Sequence, residues 1–334
     1  VTALVLYNDD EGLAHGEARD AVAAAGAAKA ARDVAAALGR SGFLAALAPT
    51  GGSLAALVER IERARPRLIF NLCEAFRGEP RLESAIAGVL EILGIPYTGS
   101  RPLALALAQD KALAKDVLAA RGLPVARSAV LASADDPLPL FLAPPYFVKT
   151  RFEDASHGIS ERSLCRTLEA AREQARYLIE TYAQDALVEE FLPGREFNVG
   201  VLFEGDVLPI AEIDYSGLPP QGIRAVTYEA KWCEDSDPFR LTPVRCPAEV
   251  EPALADRLRE IARGAFCALG CRDYARVDIR LDGRGEPRIL EVNPNPDISP
   301  EAGLARAASR AGISYDDLVA RIARAAIERG ASDR

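Results

Sequence analysis

Short apolar runs alternate with longer amphipathic stretches over the first hundred residues. Residues 3–7, 43–47 and 68–72 are apolar segments bounded by polar or turn-forming residues, the pattern of short buried strands. Between them, residues 19–38 are rich in Ala with interspersed Arg, Lys and Asp, a helix-favouring composition for which Gly39 and Gly42 supply a stop. Further helices are expected over 53–64, with Ser53 as N-cap, and over about 82–93. Strand and helix in alternation predict a parallel α/β unit. The turn formers of Gly94-Ile-Pro-Tyr-Thr-Gly-Ser100 mark its end. Residues 102–121 then read as one helix, 146–149 as a strand, 150–158 as a polar loop, 166–182 as a helix and 186–191 as a strand. The final third changes texture. Strand-like runs at 196–203, 207–213, 276–281 and 288–292, separated by Gly turns, predict a mainly antiparallel sheet. Helices over about 247–269, 300–311 and 315–329 would cover it. The expected fold class is α/β (α+β), with domains over 1–100, 101–188 and 189–334.

Composition narrows the function. With 334 residues and 49% hydrophobic content the chain can bury a core in each of two or three domains, which excludes a disordered or disulfide-stapled protein. Lys and Arg number 40 against 49 Asp and Glu, a net charge of −9, so binding of nucleic acid through a broad basic face is not expected. No apolar window is long enough for a membrane span and no signal-peptide pattern opens the chain, so a soluble cytoplasmic protein is expected. The six cysteines, Cys73, Cys165, Cys233, Cys246, Cys267 and Cys271, are scattered and read as reduced structural thiols. His15 and His157 are the only histidines, which rules out a multi-histidine metal site. Carboxylates, lysines and arginines must carry any chemistry. Neither G-x-x-x-x-G-K-[ST] nor a strand-to-helix G-x-G-x-x-G occurs, so a nucleotide would be held by other means.

One constellation stands out. Arg276-Val-Asp278 opens one strand-like run and Glu291-Val-Asn293 closes the next, after a Gly turn. Alternation puts Arg276 and Asp278 on one face of the first and Glu291 and Asn293 on one face of the second. Paired, the strands would gather two carboxylates and an amide oxygen, a donor set suited to Mg²⁺. A polar cross-strand ladder on a solvated face is the equal alternative for these residues alone.

The R-V-D…E-V-N pattern resembles the metal site of the ATP-grasp superfamily, and the likeness to D-alanine–D-alanine ligases extends upstream. Thr227-Tyr-Glu-Ala-Lys231-Trp232 is similar to their Y-x-A-K-Y segment. Val188-Glu189-Glu190-Phe-Leu192-Pro-Gly194-Arg-Glu196 resembles their adenine hinge and ribose segment. Phe147-Val-Lys149 with Ala155-Ser156-His157-Gly158 resembles their nucleotide lysine and phosphate-covering loop, and Asp110-Lys111 with Lys115 the start of their central lobe. The resemblance implies an ATP-grasp fold, a pre-ATP-grasp domain followed by two lobes that sandwich ATP. It also implies cofactors ATP and Mg²⁺, with Mn²⁺ as an alternative. By the same resemblance Lys111, Lys149 and Lys231 would meet the phosphates, Lys231 also acting with Arg276 as a catalytic residue, Ser156 and Gly158 would cover the phosphates, and Glu189, Glu190 and Leu192 would hold the adenine. Glu196 would bond the ribose, Asp278, Glu291 and Asn293 hold the metal, and Arg276 stabilise an oxyanion.

Departures from the ligase pattern fall on the amino-acid side. Cys73-Glu74-Ala-Phe-Arg77-Gly-Glu-Pro-Arg81 stands where these ligases carry H-G-x-x-G-E-D-G, Ala302 where a serine would hold the second D-alanine, and Asn295-Pro296-Asp297 where a P-G turn follows the metal site. The expected activity is an ADP-forming carboxylate–amine ligase acting through an acyl phosphate on a different amino-acid or peptide pair. Its partners would be a small carboxylate and a small amine, with a peptide among the candidates and room for a homodimer. A genuine D-alanine–D-alanine ligase and a non-catalytic ATP-binding regulatory protein are the alternatives.

Overall fold

The computed structural model describes residues 2–9, 14–17, 20–203 and 205–332. Strands β1 (Thr2–Tyr7), β2 (Leu44–Pro49) and β3 (Leu68–Leu72) form a parallel sheet in the order β2-β1-β3, interleaved with α1 (Ala21–Arg40), α2 (Leu54–Ala64) and followed by α3 (Glu83–Ile92). Ser53 caps α2 by accepting from the Ala56 N–H. Gly39 does not stop α1. The helix runs on to Arg40, and the left-handed turn falls at Gly42, whose φ of 86° suits a residue without a Cβ.

The stretch expected as one helix over 102–121 is two, α4 (Pro102–Gln109) and α5 (Lys111–Ala120). Asp110 has extended backbone and caps α5 through the Leu113 N–H, while the Arg151 guanidinium grips its carboxylate at 2.6 and 2.8 Å. A long-range ion pair thus breaks a run that local propensity would continue. Strands β4 (Ser128–Leu131), β5 (Tyr146–Thr150), β6 (Leu164–Cys165) and β7 (Ala186–Glu190), with α6 (Leu168–Tyr182) packed on them, form an antiparallel sheet in the order β4-β7-β5-β6. The short β4 and β6 carry too little pattern to read in isolation.

The third sheet comprises β8 (Glu196–Leu202), β9 (Asp206–Val207), β10 (Ala211–Ile213), β11 (Val244–Arg245), β12 (Tyr274–Leu281) and β13 (Pro287–Asn293), all antiparallel, in the order β11-β10-β8-β12-β13 with β9 on β8. The single strand expected over 207–213 is split into β9 and β10, because Pro209 has no N–H to give the ladder. Helices α7 (Tyr228–Trp232), α8 (Asp237–Arg240), α9 (Pro252–Ala268), α10 (Gly303–Arg310) and α11 (Tyr315–Ser332) complete the chain.

The cores do not respect chain order. Val5, Phe70 and Leu38 share one with Tyr274, Leu304, Leu318 and Ile322, so α11 returns to the first sheet. Ala114 and Leu118 of α5 share another with Phe197, Val277 and Ile289. These joint cores hold the sheets at fixed separations around a cleft. No described helix is long and apolar enough to cross a membrane.

Candidate active site

Strands β8, β12 and β13 lie side by side, and their register brings the polar residues into rows. Asp278 faces Asn198 on one side and Glu291 on the other; Arg276 faces Asn293, and Arg280 faces Glu196. Between them Val277 and Ile279 are fully buried on the opposite face. A bulge makes this alignment work. In a regular strand Ile289 and Glu291 would share a face, but the register shifts between Asp278 and Ile279, leaving Leu290 as the extra residue. Ile289 therefore enters the core while Glu291 faces the cleft. The Lys115 ammonium lies 3.4 Å from the Ile289 carbonyl and 2.8 Å from that of Leu290, so a buried lysine serves the carbonyls that the bulge displaces.

Alternating charges run through the site. Lys115 pairs with Glu189 at 2.9 Å, Glu189 with Lys149 at 3.2 Å, and Lys149 with Glu291 at 3.5 Å. Arg276 forks onto both Asp278 oxygens at 2.8 and 2.9 Å, and Asn198 Nδ2 donates to Asp278 at 2.7 Å. Burial pushes the Glu291 carboxyl up, but Lys149, Lys111, Arg276 and Lys231 outweigh it and hold the group down to about 2. Burial likewise works against Lys149, whose ammonium is nonetheless raised by Glu189 and Glu291. The break at Asp110 sets Lys111 and Lys115 four residues apart on the inner face of α5. Lys111 donates to the Glu153 carbonyl at 2.6 Å and to Asp154 at 3.0 Å, tying α5 to the loop of residues 150–158.

That loop is held from three sides. Ala155, Ser156 and Gly158 all have positive φ, and Gly158 sits so close to α6 that a Cβ would stand 2.7 Å from Leu178. Trp232 Nε1 donates to the Ala155 carbonyl at 2.9 Å, and the Tyr228 N–H to Ile159 at 3.0 Å. Lys231, beside them, faces the open cleft, where desolvation and then Arg276 push its ammonium down.

At the other end Leu192 is buried, and Glu196 accepts from Tyr215 at 2.9 Å and from Arg280 at 3.0 Å. Glu190 turns away from Glu189 and is forked by Arg127, so only its backbone is left to face a ligand on the Glu189 side. Among the described residues no group of three or more His, Cys, Asp or Glu side chains could hold a metal. The oxygens of Asp278, Glu291 and Asn293 are a two-carboxylate set of hard donors, which suits Mg²⁺, an ion that keeps water and phosphate in most of its shell.

The family model for the D-ala D-ala ligase C-terminus matches residues 117–324. This chain belongs to the D-alanine–D-alanine ligase family. A D-alanine–D-alanine ligase of Gluconobacter oxydans is 36% identical over 286 residues, 84% of this chain and 87% of its own. An uncharacterised protein of Sinorhizobium fredii is 38% identical over 258 residues, 75% of this chain and 72% of its own. The D-alanine–D-alanine ligase of Bacillus anthracis, solved in complex with ATP, superposes with a TM-score of 0.77 at 20% identity, covering 100% of this chain and 99% of that one. The fold is thus ATP-grasp, and the family's reaction class is ADP-forming carbon–nitrogen ligation.

Within this ligase family fold a further flank of the cleft is acidic. Glu74 follows the carboxyl end of β3, its N–H bonded to Asn8 Oδ1 at 2.8 Å and its side chain open to the cleft. Desolvation, then Asp297, pushes its carboxyl up to about 7. Behind it Asn295 Nδ2 donates to the Cys73 carbonyl at 3.0 Å and to Glu83 at 3.2 Å. Ala302, the N-cap of α10, offers no side-chain bond. Sequence reasoning assigned no role to Lys115, Asn198 or Asn295. The signal for Asn198 was available, since it stands two residues from Glu196 on the same strand face.

Proposed function

We propose that this ligase transfers the γ-phosphoryl group of ATP to a substrate carboxylate and passes the resulting acyl group to an amine, with a pair other than two D-alanines. The observation that carries the reading is the cross-strand row Asn198–Asp278–Glu291 beside Arg276 and Asn293, faced by Lys149. A divalent cation held by Asp278, Glu291 and Asn293 would offset the charge of the terminal phosphates. Lys111, Lys149 and Lys231 add positive charge from separate elements, and the loop of residues 150–158 keeps water away from the acyl phosphate. The substrate carboxylate oxygen attacks the γ-phosphorus and ADP leaves. The amine nitrogen then attacks the acyl carbon, Arg276 stabilises the oxyanion, and phosphate and a proton depart. The lobes proposed to close on the nucleotide are residues 101–188 and 189–334, with α5 of the first packed into the core of the second.

The substrate reading rests on the acidic flank. A site for two small zwitterions must pair each carboxylate and each ammonium, because an unpaired buried charge is strongly unfavourable. Glu74 and Asp297 suit an ammonium, and Ala302 has no hydroxyl for a carboxylate. This favours an amine whose own carboxylate is absent, masked or distant: a peptide, a diamine or a larger amino acid. The second reading, D-alanine dimerisation, is favoured by relatives that bear that name. ADP release with ATP, Mg²⁺ and a panel of acids and amines decides between them. The expected result is slow turnover with D-alanine alone and faster turnover with another pair. Dipeptide formation from D-alanine at ordinary enzyme rates, about 1–10³ s⁻¹, would overturn the substrate reading.

A further inference from the structure

Arg280 has an unmet donor. It lies on β12 in the same row set as Arg276 and Asp278, one step of about 7 Å beyond Asp278. Only 4% of the residue is exposed. Its Nε donates to the Gly194 carbonyl at 3.2 Å and its Nη1 to Glu196 Oε2 at 3.0 Å, whereas Nη2 is buried and has no partner among the described residues. The guanidinium carbon stands 5.1 Å from the centre of the Phe191 ring and 5.5 Å from that of Tyr215, so cation–π contacts hold it in place. A buried guanidinium normally fills all its donors, since a desolvated N–H left unbonded is unfavourable. This one is incomplete beside Glu196, a carboxylate in the segment that resembles the family's ribose segment.

We propose that Arg280 completes the sugar contact already expected of Glu196, its Nη2 donating to the oxygen of the hydroxyl next to the one from which Glu196 accepts. The inference rests on the nucleotide reading above and adds a residue to it. A hydroxyl both donates and accepts, so a vicinal diol needs an acceptor and a donor at adjacent positions. The Glu196–Arg280 pair presents that combination. Lys at position 280 would keep a cation opposite Glu196 but lose the forked donor.

The test is calorimetric titration of the full chain with ADP, 2′-deoxy-ADP, 3′-deoxy-ADP and tripolyphosphate, each with Mg²⁺. The intact protein is expected to bind ADP about tenfold more tightly than a deoxy analogue, the value of one charge-assisted hydrogen bond. Arg280→Met and Arg280→Lys should each weaken ADP about tenfold, erase the preference for ADP over the one deoxy analogue that lacks the hydroxyl Arg280 meets, keep the preference over the other, and leave tripolyphosphate unchanged. Arg280→Lys keeps the test open if loss of the charge beside buried Glu196 prevents Arg280→Met from folding. Variants that retain the intact protein's discrimination, or that lose ADP and tripolyphosphate alike, would overturn the role of Arg280. Failure of the unsubstituted chain to bind ADP would instead overturn the nucleotide reading, before any substitution is compared.

Discussion

Replacing Gly158 by Ala separates backbone strain from close packing in the loop beside the lysines. Gly158 has φ +74°, and an added Cβ would meet Leu178 Cδ2 at 2.7 Å, Tyr182 Cε2 at 3.1 Å and Thr150 Cγ2 at 3.4 Å. Left-handed backbone disfavours Ala by about 1–2 kcal/mol. Overpacking against two α6 side chains adds about 1–3 kcal/mol. The sum, about 2–5 kcal/mol, should lower the melting temperature by about 4–10 °C in a chain of this size. Gly285→Ala is the control, because Gly285 has φ +82° but nothing within 4 Å of a built Cβ. It should lose only the strain contribution. Calorimetric melting of both variants measures the difference, and titration with ADP and Mg²⁺ reads the functional consequence. Only Gly158→Ala should weaken ADP, since the displaced loop includes Ser156 and the contacts of Lys111. Equal melting temperatures in the two variants would refute the packing argument. Undiminished ADP affinity in Gly158→Ala would refute the loop as a cover over the phosphates.

Three other substitutions probe the cleft. Trp232→Phe removes the 2.9 Å bond to the Ala155 carbonyl, so amide exchange over residues 150–158 should accelerate while the core strands stay protected; unchanged exchange would count against Trp232 as a latch. Arg276→Gln should lower kcat by about 10²–10³ with the KM for ATP little changed, as for other lost oxyanion donors; a pure KM effect in steady-state kinetics would reassign it to binding. The Glu74 carboxyl is pushed up to about 7, so kcat/KM for the amine should show a rise near that pH that Glu74→Gln lacks, on top of the rise from deprotonation of the amine itself. The sign for stability is the opposite: a carboxyl raised above its ordinary 4.5 disfavours the folded state as pH rises from about 4.5 through 7, so Glu74→Gln should gain on the parent protein between pH 5 and 8.

Much of the candidate site's geometry was legible because strand alternation is local. A period of two is enough to say that Arg276 shares a face with Asp278, and Glu291 with Asn293, and the parallel and antiparallel sheets follow from the same kind of pattern. The order of the ATP-grasp segments was also written in the chain. What the local pattern could not say is that the two strand faces coincide. That depends on the bulge at Leu290, which is stabilised by Lys115 from 175 positions away in sequence. The break between α4 and α5 is similar: helix propensity runs through Asp110, and an ion pair to Arg151, 41 positions on, overrides it. Glu189 and Glu190 adjoin in sequence, yet one is buried between two lysines and the other is turned to Arg127. Asn198 joins the Asp278 row because β8 lies next to β12, 80 positions later. Residue type and short-range period determined which groups are available to the reaction. Tertiary packing decided which of them share a cleft, because a charge several strands away acts only once the shared cores have fixed its distance.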